Sequence, residues 1–268
     1  MPEGHTVHRT ATEFNDRFAG RALTVTSPQG RFSASAAQIS GRLLIEASAI
    51  GKQMFLRFEN GMSVRIHLGI YGKWNYQNLG DESQVAAEPV GQVRARFSNQ
   101  KSVADLRGPT ICEVITPTEV KVIEARLGPD PLNLNPGNRE SERFINNIRK
   151  SRSSIGLQLM NQATISGIGN VYRAELLFRA GIDPHTPGNS LTVEQIQGLW
   201  DDSVRLLRVG VKTGFMITRD ELFTKRPKKT DRNFTYKREG LPCLNCGTNI
   251  ALEIMATRKL YWCPGCQK

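Results

Sequence analysis

Residues 237–268 read KREGLPCLNCGTNIALEIMATRKLYWCPGCQK, in which Cys243-x2-Cys246 is followed, after sixteen intervening residues, by Cys263-x2-Cys266. Two knuckles at that separation let four thiolates converge tetrahedrally, the arrangement that structural Zn(II) requires. A redox reading needs only one CxxC beside a βαβ pattern, and that pattern is absent from the sequence. Four protein ligands leave no coordination position open, so the implied cofactor is one structural Zn(II) that folds the tail and performs no chemistry. Between the knuckles, Asn249–Met255 and Lys259–Trp262 read as the arms of a β-hairpin with Thr257, Arg258 and Lys259 at its tip. An arginine on a metal-stapled hairpin is well placed to hold a phosphate bidentately. The alternative for Arg258 is an ordinary solvated turn residue. The fifth cysteine, Cys112, sits in the strand-like run Thr110–Ile115 and reads as a buried small apolar residue.

Upstream of the hairpin, residues 212–240 have little periodicity and many Lys and Arg, including Lys225-Arg226-Pro227-Lys228-Lys229, and read as a mobile basic loop. Before it the pattern is helical: Thr118–Leu127, Glu140–Lys150, Ile155–Asn161, Asn170–Ala180 and Val193–Val211, punctuated by Gly128-Pro129 and Gly181. Residues 21–115 instead carry short alternating runs, Leu23–Thr26, Leu43–Ala47, Met54–Phe58, Met62–His67 and Val93–Phe97, with a hairpin turn expected at Gly61. Many short strands suggest a sandwich or barrel. Residues 80–90 are polar and acidic, as an exposed loop would be. At the start, Val7, Ala11, Phe14 and Phe18 recur at helical spacing up to Gly20. The domains read as 1–116, 117–212, a basic linker at 213–233, and 234–268.

The 268 residues suit one or two domains, and 36 Lys+Arg against 25 Asp+Glu give a net charge of +11, which favours a polyanionic partner. No apolar run is long enough to span a membrane, and no hydrophobic signal core opens the chain, so an intracellular protein without a membrane partner is expected. HExxH, the zinc-deaminase HxE and a P-loop are all missing. His5 and His8 lie three apart on the first helix, a weak metal pattern that a polar helix face explains better. Gly167-Ile168-Gly169-Asn170 opens a helix, where free amides bind phosphate. A tight interhelical turn needs the same glycines. If Met1 is cleaved, Pro2 becomes a terminal secondary amine beside Glu3. An α-amino group of pKa about 7.7–8.0 is roughly one-tenth neutral at pH 7, far more than an ordinary lysine. It can therefore attack a carbonyl or a sugar C1′. A proline that merely starts a helix is the alternative.

Taken together, MPEG at residues 1–4, Ile50-Gly51-Lys52, His67-Leu68-Gly69-Ile70-Tyr71-Gly72, Leu127-Gly128-Pro129-Asp130-Pro131-Leu132, Gly167–Arg173 and Tyr261–Gln267 resemble, in order, one family. It is the formamidopyrimidine-DNA glycosylase and endonuclease VIII family of DNA glycosylase/AP lyases, and the likeness runs from end to end. The resemblance implies an α+β fold: an N-terminal β-sandwich with an N-terminal helix, a helix–two-turn–helix domain and a C-terminal zinc-finger β-hairpin. It implies that Pro2 attacks C1′ of a damaged nucleotide to form a Schiff base and that Glu3 protonates the sugar ring oxygen. Lys52 would contact phosphate and assist catalysis, and Arg258 would grip phosphate and assist elimination. Asn170, Tyr236 and Arg126 would be further DNA contacts, with Ile70 and Tyr71 filling the space left by the flipped base. The opening MPEGHT favours the endonuclease VIII branch, hence oxidised pyrimidines and β,δ-elimination. That branch carries Gln-Leu-Tyr where this chain has Gly69-Ile70-Tyr71. The implied partner is damaged DNA, bound by a monomer in the nucleoid or cytoplasm if the source is bacterial. A non-catalytic zinc-finger protein that keeps the DNA clamp is the alternative of another class.

Overall fold

The structure is a computed structural model that describes residues 2–80, 86–134 and 139–268. Of the acidic stretch expected to form an exposed loop, residues 81–85 lie outside the described residues. The chain divides into two compact units, one comprising residues 1–2 and 6–125, the other residues 3–5 and 126–268.

The first unit is built on eight antiparallel strands: β1 (Arg21–Thr26), β2 (Arg42–Ile50), β3 (Gln53–Phe58), β4 (Ser63–His67), β5 (Lys73–Asn78), β6 (Val93–Ser98), β7 (Ser102–Arg107) and β8 (Ile111–Ile115), in the order β5-β7-β6-β1-β2-β3-β4-β8. The strand β1 changes partner half-way: Arg21–Leu23 pair with β2 and Thr24–Thr26 with β6. Side chains from both halves, among them Leu23, Met54, Leu56, Ile66, Phe97 and Leu106, share one buried core. Helix α1 (Gly4–Phe18) contributes to that core the four residues its periodicity singled out, Val7, Ala11, Phe14 and Phe18. Phe14 packs edge-on to Trp74 and Phe97, with ring centroids 5.2 and 5.6 Å away. Removing so buried a ring costs about 3–5 kcal/mol. The Gly61 hairpin forms as expected, with φ +80°.

Three elements escaped the sequence reading: the short helix α2 (Ser33–Ile39), β5 and β7. Strand β7 is buried at five successive positions, so no alternation betrays it. The apolar residues of β5, Trp74 and Tyr76, are only partly covered.

The second unit packs α4 (Arg139–Arg149), α5 (Ile155–Gln158), α6 (Asn170–Ala180) and α7 (Val193–Thr213) around Phe144, Ile168, Leu177, Trp200 and Leu207. Helix α3 (Pro117–Arg126) joins the sheet unit except for its last residue. A capping box of Thr192 and Gln195 starts α7, and Gly214 at φ +77° ends it. Every residue of α6 from Asn170 to Phe178 is buried, including Arg173 and Glu175. The hairpin β9 (Ala251–Met255) and β10 (Arg258–Trp262) follows. Its turn is Ala256-Thr257, both left-handed at φ +46° and +66°, so Arg258 is not at the tip but is the first paired residue of β10, opposite Met255. Among the described residues no helix is long and apolar enough to cross a membrane.

Candidate active site and metal centre

In the second unit, the turn Gly167–Gly169 and the start of α6 form a cradle for residues 3–5. Gly4 N donates to Gly167 O at 2.8 Å. The fully buried Glu3 carboxylate accepts from Gly169 N (2.9 Å), Val171 N (2.9 Å) and, more loosely, Tyr172 N (3.4 Å). These amides are unpaired within the helix and lie at its positive end, so the helix start that sequence reading offered to a phosphate is occupied by this chain's own carboxylate. Glycine is required on both sides of the contact. A Cβ on Gly169 would lie 2.6 Å from Glu3 Cδ, and one on Gly4 would lie 2.9 Å from Gly167 Cα. Gln162 fixes the turn from behind, accepting from Gly167 N and donating to Ile168 O. His5 packs edge-on to Tyr172, with centroids 5.4 Å apart, and is buried, which removes the polar helix face read for it. Pro2, one residue before Glu3, is half-buried.

The cysteine hairpin meets this helix through Asn170, whose Nδ2 donates to Lys259 O (2.8 Å) and whose Oδ1 accepts from Arg173 (2.6 Å). Arg173 donates to the same Lys259 carbonyl at 3.1 Å. The Asn170 side chain is therefore buried and engaged within the protein, while Arg258 is exposed. Burial pushes the Arg173 guanidinium down to about 10 against the pull of Glu3, and the neighbouring Arg258 charge adds to the push. Tyr236 lies half-buried with its ring 5.1 Å from that of Tyr261. It lines a cavity of about 470 Å³ together with Val171, Met216 and Asn233. Arg126 is exposed at the end of α3.

In the first unit, Lys52 stands in the turn between β2 and β3. Next to it, His67 pairs in register with Gln53. Burial, then the charges of Lys52 and Arg65, lower the His67 pKa and favour a neutral imidazole. Ile70 and Tyr71, 46% and 84% exposed, crown the turn after β4, closed by Gly72 N donating to Leu68 O at 2.9 Å. A Cβ on Gly69 would strike Thr110 Oγ1 and one on Gly72 the Leu68 carbonyl, so both glycines are needed to present the two apolar residues.

The four cysteines of the tail come together, with every sulfur within 4.8 Å of the others. Cys243 Sγ is 3.8 Å from Cys266 Sγ, and Cys246 Sγ is 3.4 Å from Cys263 Sγ. A tetrahedron with Zn–S bonds of about 2.3 Å has edges of about 3.8 Å, so this donor set fits the ion. The Thr248 hydroxyl, with its backbone amide, draws the Cys246 thiol down to about 6, while burial and the neighbouring sulfurs push the Cys263 and Cys266 thiols up. Gly265 makes room for that contact, since a Cβ there would lie 2.6 Å from Thr248 Oγ1.

The model for the formamidopyrimidine-DNA glycosylase N-terminal domain matches residues 1–111, and that for the formamidopyrimidine-DNA glycosylase H2TH domain matches residues 127–221. The chain belongs to the formamidopyrimidine-DNA glycosylase family. Endonuclease 8 1 of Mycobacterium tuberculosis (strain ATCC 25618 / H37Rv) is 43% identical over 273 residues, covering all of both chains. Endonuclease 8 of Escherichia coli (strain K12 / DH10B) is 28% identical over 272 residues, again covering all of both. The formamidopyrimidine-DNA glycosylase of Lactococcus lactis, non-covalently bound to an AP-site-containing DNA, shares the fold with a TM-score of 0.81 at 22% identity over 99% of each chain. Membership makes the chain a DNA glycosylase and AP lyase of base excision repair, and the non-catalytic alternative is not favoured.

Sequence reasoning passed over Gln162 and Glu175, and quoted His67 and Arg173 within motifs without assigning them a role. A signal for two of them was present: Arg173 and Glu175 are two residues apart on a helix otherwise too apolar to face water, so at least one had to be buried with a partner. The hairpin is also tied to the loop after α6 at Glu253, which bonds His185 Nε2 at 2.6 Å while Asp183 bonds Nδ1 at 2.7 Å. Burial opposes the His185 charge, but these two carboxylates outweigh it and raise the pKa above its ordinary value. A raised folded pKa gives stability that is full below the unfolded value and lost as pH rises through the folded one. Wild type is therefore expected to lose a small thermal-stability advantage over His185→Gln between about pH 6 and 8, small because the group is solvent-screened. Thermal melts of both proteins across that range check it.

Proposed function

We propose that this glycosylase acts on oxidised pyrimidines in DNA through its N-terminal proline, as a monomer inside the cell. The observation that carries the reading is the Glu3 carboxylate held on three amides of the Gly167–α6 turn, one residue from Pro2. The Pro2 nitrogen, as a free secondary amine, attacks C1′ of the damaged nucleotide. The base departs, taking a proton from water, Glu3 carries the proton lost by the Pro2 nitrogen to the ring oxygen as the sugar opens, and an iminium links Pro2 to C1′. Loss of the C2′ proton then expels the 3′ phosphate, and a second elimination expels the 5′ phosphate. Lys52 and Arg258 supply positive charge to the phosphates and assist these steps. Asn170, through Lys259, sets the base of β10 from which Arg258 projects, a support role in addition to the direct contact the resemblance suggests. Tyr236 and Arg126 complete the DNA contacts. Ile70 and Tyr71 fill the vacated stack, offsetting the few kcal/mol that base flipping costs.

The Lactococcus lactis neighbour seen with AP-site DNA supports damaged DNA as partner, and the four-sulfur cluster supports one structural Zn(II). In this reading residues 1–116 carry Pro2, Glu3 and Lys52, 117–212 bind DNA, 234–268 bind DNA and supply Arg258, and 213–233 link them. The 43% identity to an Endonuclease 8 supports the endonuclease VIII branch, and the pyrimidine preference rests on the resemblance to that branch. The test is a panel of duplexes containing 5-hydroxyuracil, thymine glycol or an abasic site. Each should be cut to leave phosphate on both flanking ends, with a covalent adduct on borohydride reduction. Binding without any cut would instead establish the non-catalytic alternative.

Gly169→Ala offers a sharper test of the Glu3 cradle. The new Cβ displaces the carboxyl, and misplacement of about 1 Å can cost about a hundredfold. Base excision should fall by about that factor with bound metal unchanged, measured by single-turnover kinetics and metal analysis.

A further inference from the structure

Helix α7 carries a buried glycine, Gly210, one turn before its end. Glycine is a poor helix former, so its presence inside a helix needs a reason. A Cβ at Gly210 would lie 2.6 Å from His5 Cγ, 2.6 Å from the Tyr172 hydroxyl and 2.8 Å from His5 Cβ. A Cβ at Gly198, on the same helix, would meet nothing within 4 Å. Space for one more methyl group is therefore missing at Gly210 and present at Gly198.

The side chain that Gly210 admits belongs to the turn that carries the Glu3 carboxylate. His5 is buried, with its ring edge-on to that of Tyr172. Tyr172 donates its hydroxyl to Leu206 O of α7 at 3.5 Å, while its backbone N is one of the amides on Glu3. The His5 imidazole is thus clamped between α6 and α7, two residues from Glu3. Gly4 N and the Glu3 carboxylate are held separately, by hydrogen bonds to the Gly167–α6 turn. Residues 3–5 consequently have two independent holds in the helical unit, hydrogen bonds at one end and close packing at the other.

We propose that His5, seated in the space left by Gly210 against Tyr172, is a positioning residue for catalysis. It fixes residues 3–5 on α6 and α7, and through them the Glu3 carboxyl and the Pro2 nitrogen that precedes it in the chain. The catalytic consequence rests on the Pro2 and Glu3 reading above; the packing does not. A ring displaced by a new methyl group carries Glu3 with it, because only Gly4 separates the two. A misplacement of about 1 Å at a reacting group can cost about a hundredfold in rate. Both His5 and Gly210 are buried and offer DNA no contact, so binding should be spared.

The experiment uses the full-length, metal-loaded protein as wild type, Gly198→Ala, Gly210→Ala, the double variant His5→Gly/Tyr172→Phe, and that double variant with Gly210→Ala added. The double variant removes all three atoms nearest the new methyl group. For each protein the borohydride trapping rate at saturating abasic duplex, the affinity for a tetrahydrofuran-analogue duplex and the melting temperature are measured. Gly210→Ala should trap about a hundredfold more slowly than wild type, with affinity within about twofold and a lower melting temperature. Gly198→Ala should trap at the wild-type rate and melt slightly higher, since alanine is the better helix former. In the double variant, itself about tenfold slower than wild type, Gly210→Ala should cost no more than about threefold and raise the melting temperature. A saturated rate within about twofold of wild type for Gly210→Ala overturns the proposal. So does a loss seen only as weaker binding, or an equal loss from Gly210→Ala with and without the double variant. If Gly210→Ala does not fold, the double variant decides alone, and a saturated rate within about twofold of wild type overturns the proposal. If wild type with a free Pro2 traps no abasic DNA, the Pro2 reading fails, while the melting temperatures still judge whether Gly210 makes room for His5.

Discussion

A chain with one additional residue ahead of Pro2 is expected to form no reducible adduct with abasic DNA, with trapping down by a factor of about 10⁴ or more. The extra residue turns the Pro2 nitrogen into an amide, whose lone pair is delocalised into the carbonyl and cannot add to C1′. Free, the same nitrogen has an α-amino pKa of about 7.7–8.0 and is neutral often enough at pH 7 to act unaided. No side chain replaces it at once: an unperturbed lysine, near 10.4, is neutral in only about one molecule in 2,500 at that pH. The extension leaves the duplex-binding residues untouched, so affinity for an abasic analogue should change far less than trapping. That split separates loss of the nucleophile from general damage.

Removal of the metal should have the second largest effect. The hairpin has a small core, Ile250, Tyr261, Cys243 and Cys263 packed with Ala174 and Phe178 of α6. So small a cluster cannot offset the entropy of ordering the tail, whereas structural zinc contributes about 10–16 kcal/mol in isolated zinc-finger peptides. A strong chelator, or Cys243→Ser, should release one Zn(II) per chain and lower affinity for abasic-analogue duplex at least about a hundredfold. The sheet core around Phe97 and the helical core around Trp200 contain no cysteine ligand and should persist by far-UV circular dichroism. The loss reaches beyond Arg258, because the hairpin supplies the Lys259 carbonyl that Asn170 and Arg173 share. Acid should act in the same direction, since thiolates must be protonated as the metal leaves. Metal analysis of the gel-filtered protein, paired with a binding titration, checks both results.

Much of this was legible in the sequence because the relevant signals are local. The spacing of Val7, Ala11, Phe14 and Phe18 gave α1 its buried face, and the four cysteines gave the hairpin its closure. Gly169 and Asn170 marked the start of α6 correctly. The occupant of that helix start was not legible, because Glu3 lies more than 160 residues away and only the fold brings it there. Strand β7 was missed because burial on both faces erases alternation. The basic segment looked irregular from residue 212 onward because its order comes from Glu175 and Arg179, buried on another element, and from arginines stacked on Phe215 and Phe223. Arg258 was placed at the hairpin tip because the turn Ala256-Thr257 carries no glycine or asparagine, although both residues take the left-handed conformation those residues favour.

The central claim, that Pro2 is the nucleophile, is tested most directly by finding the atom that carries the DNA. The protein is incubated with a duplex containing an abasic site, reduced with borohydride and digested, and the cross-linked peptide is sequenced by mass spectrometry. The account predicts a single adduct on the N-terminal peptide, with the sugar remnant on the Pro2 nitrogen. An adduct on Lys52 or any other lysine, or none from protein whose N-terminus is a free Pro2, would contradict it.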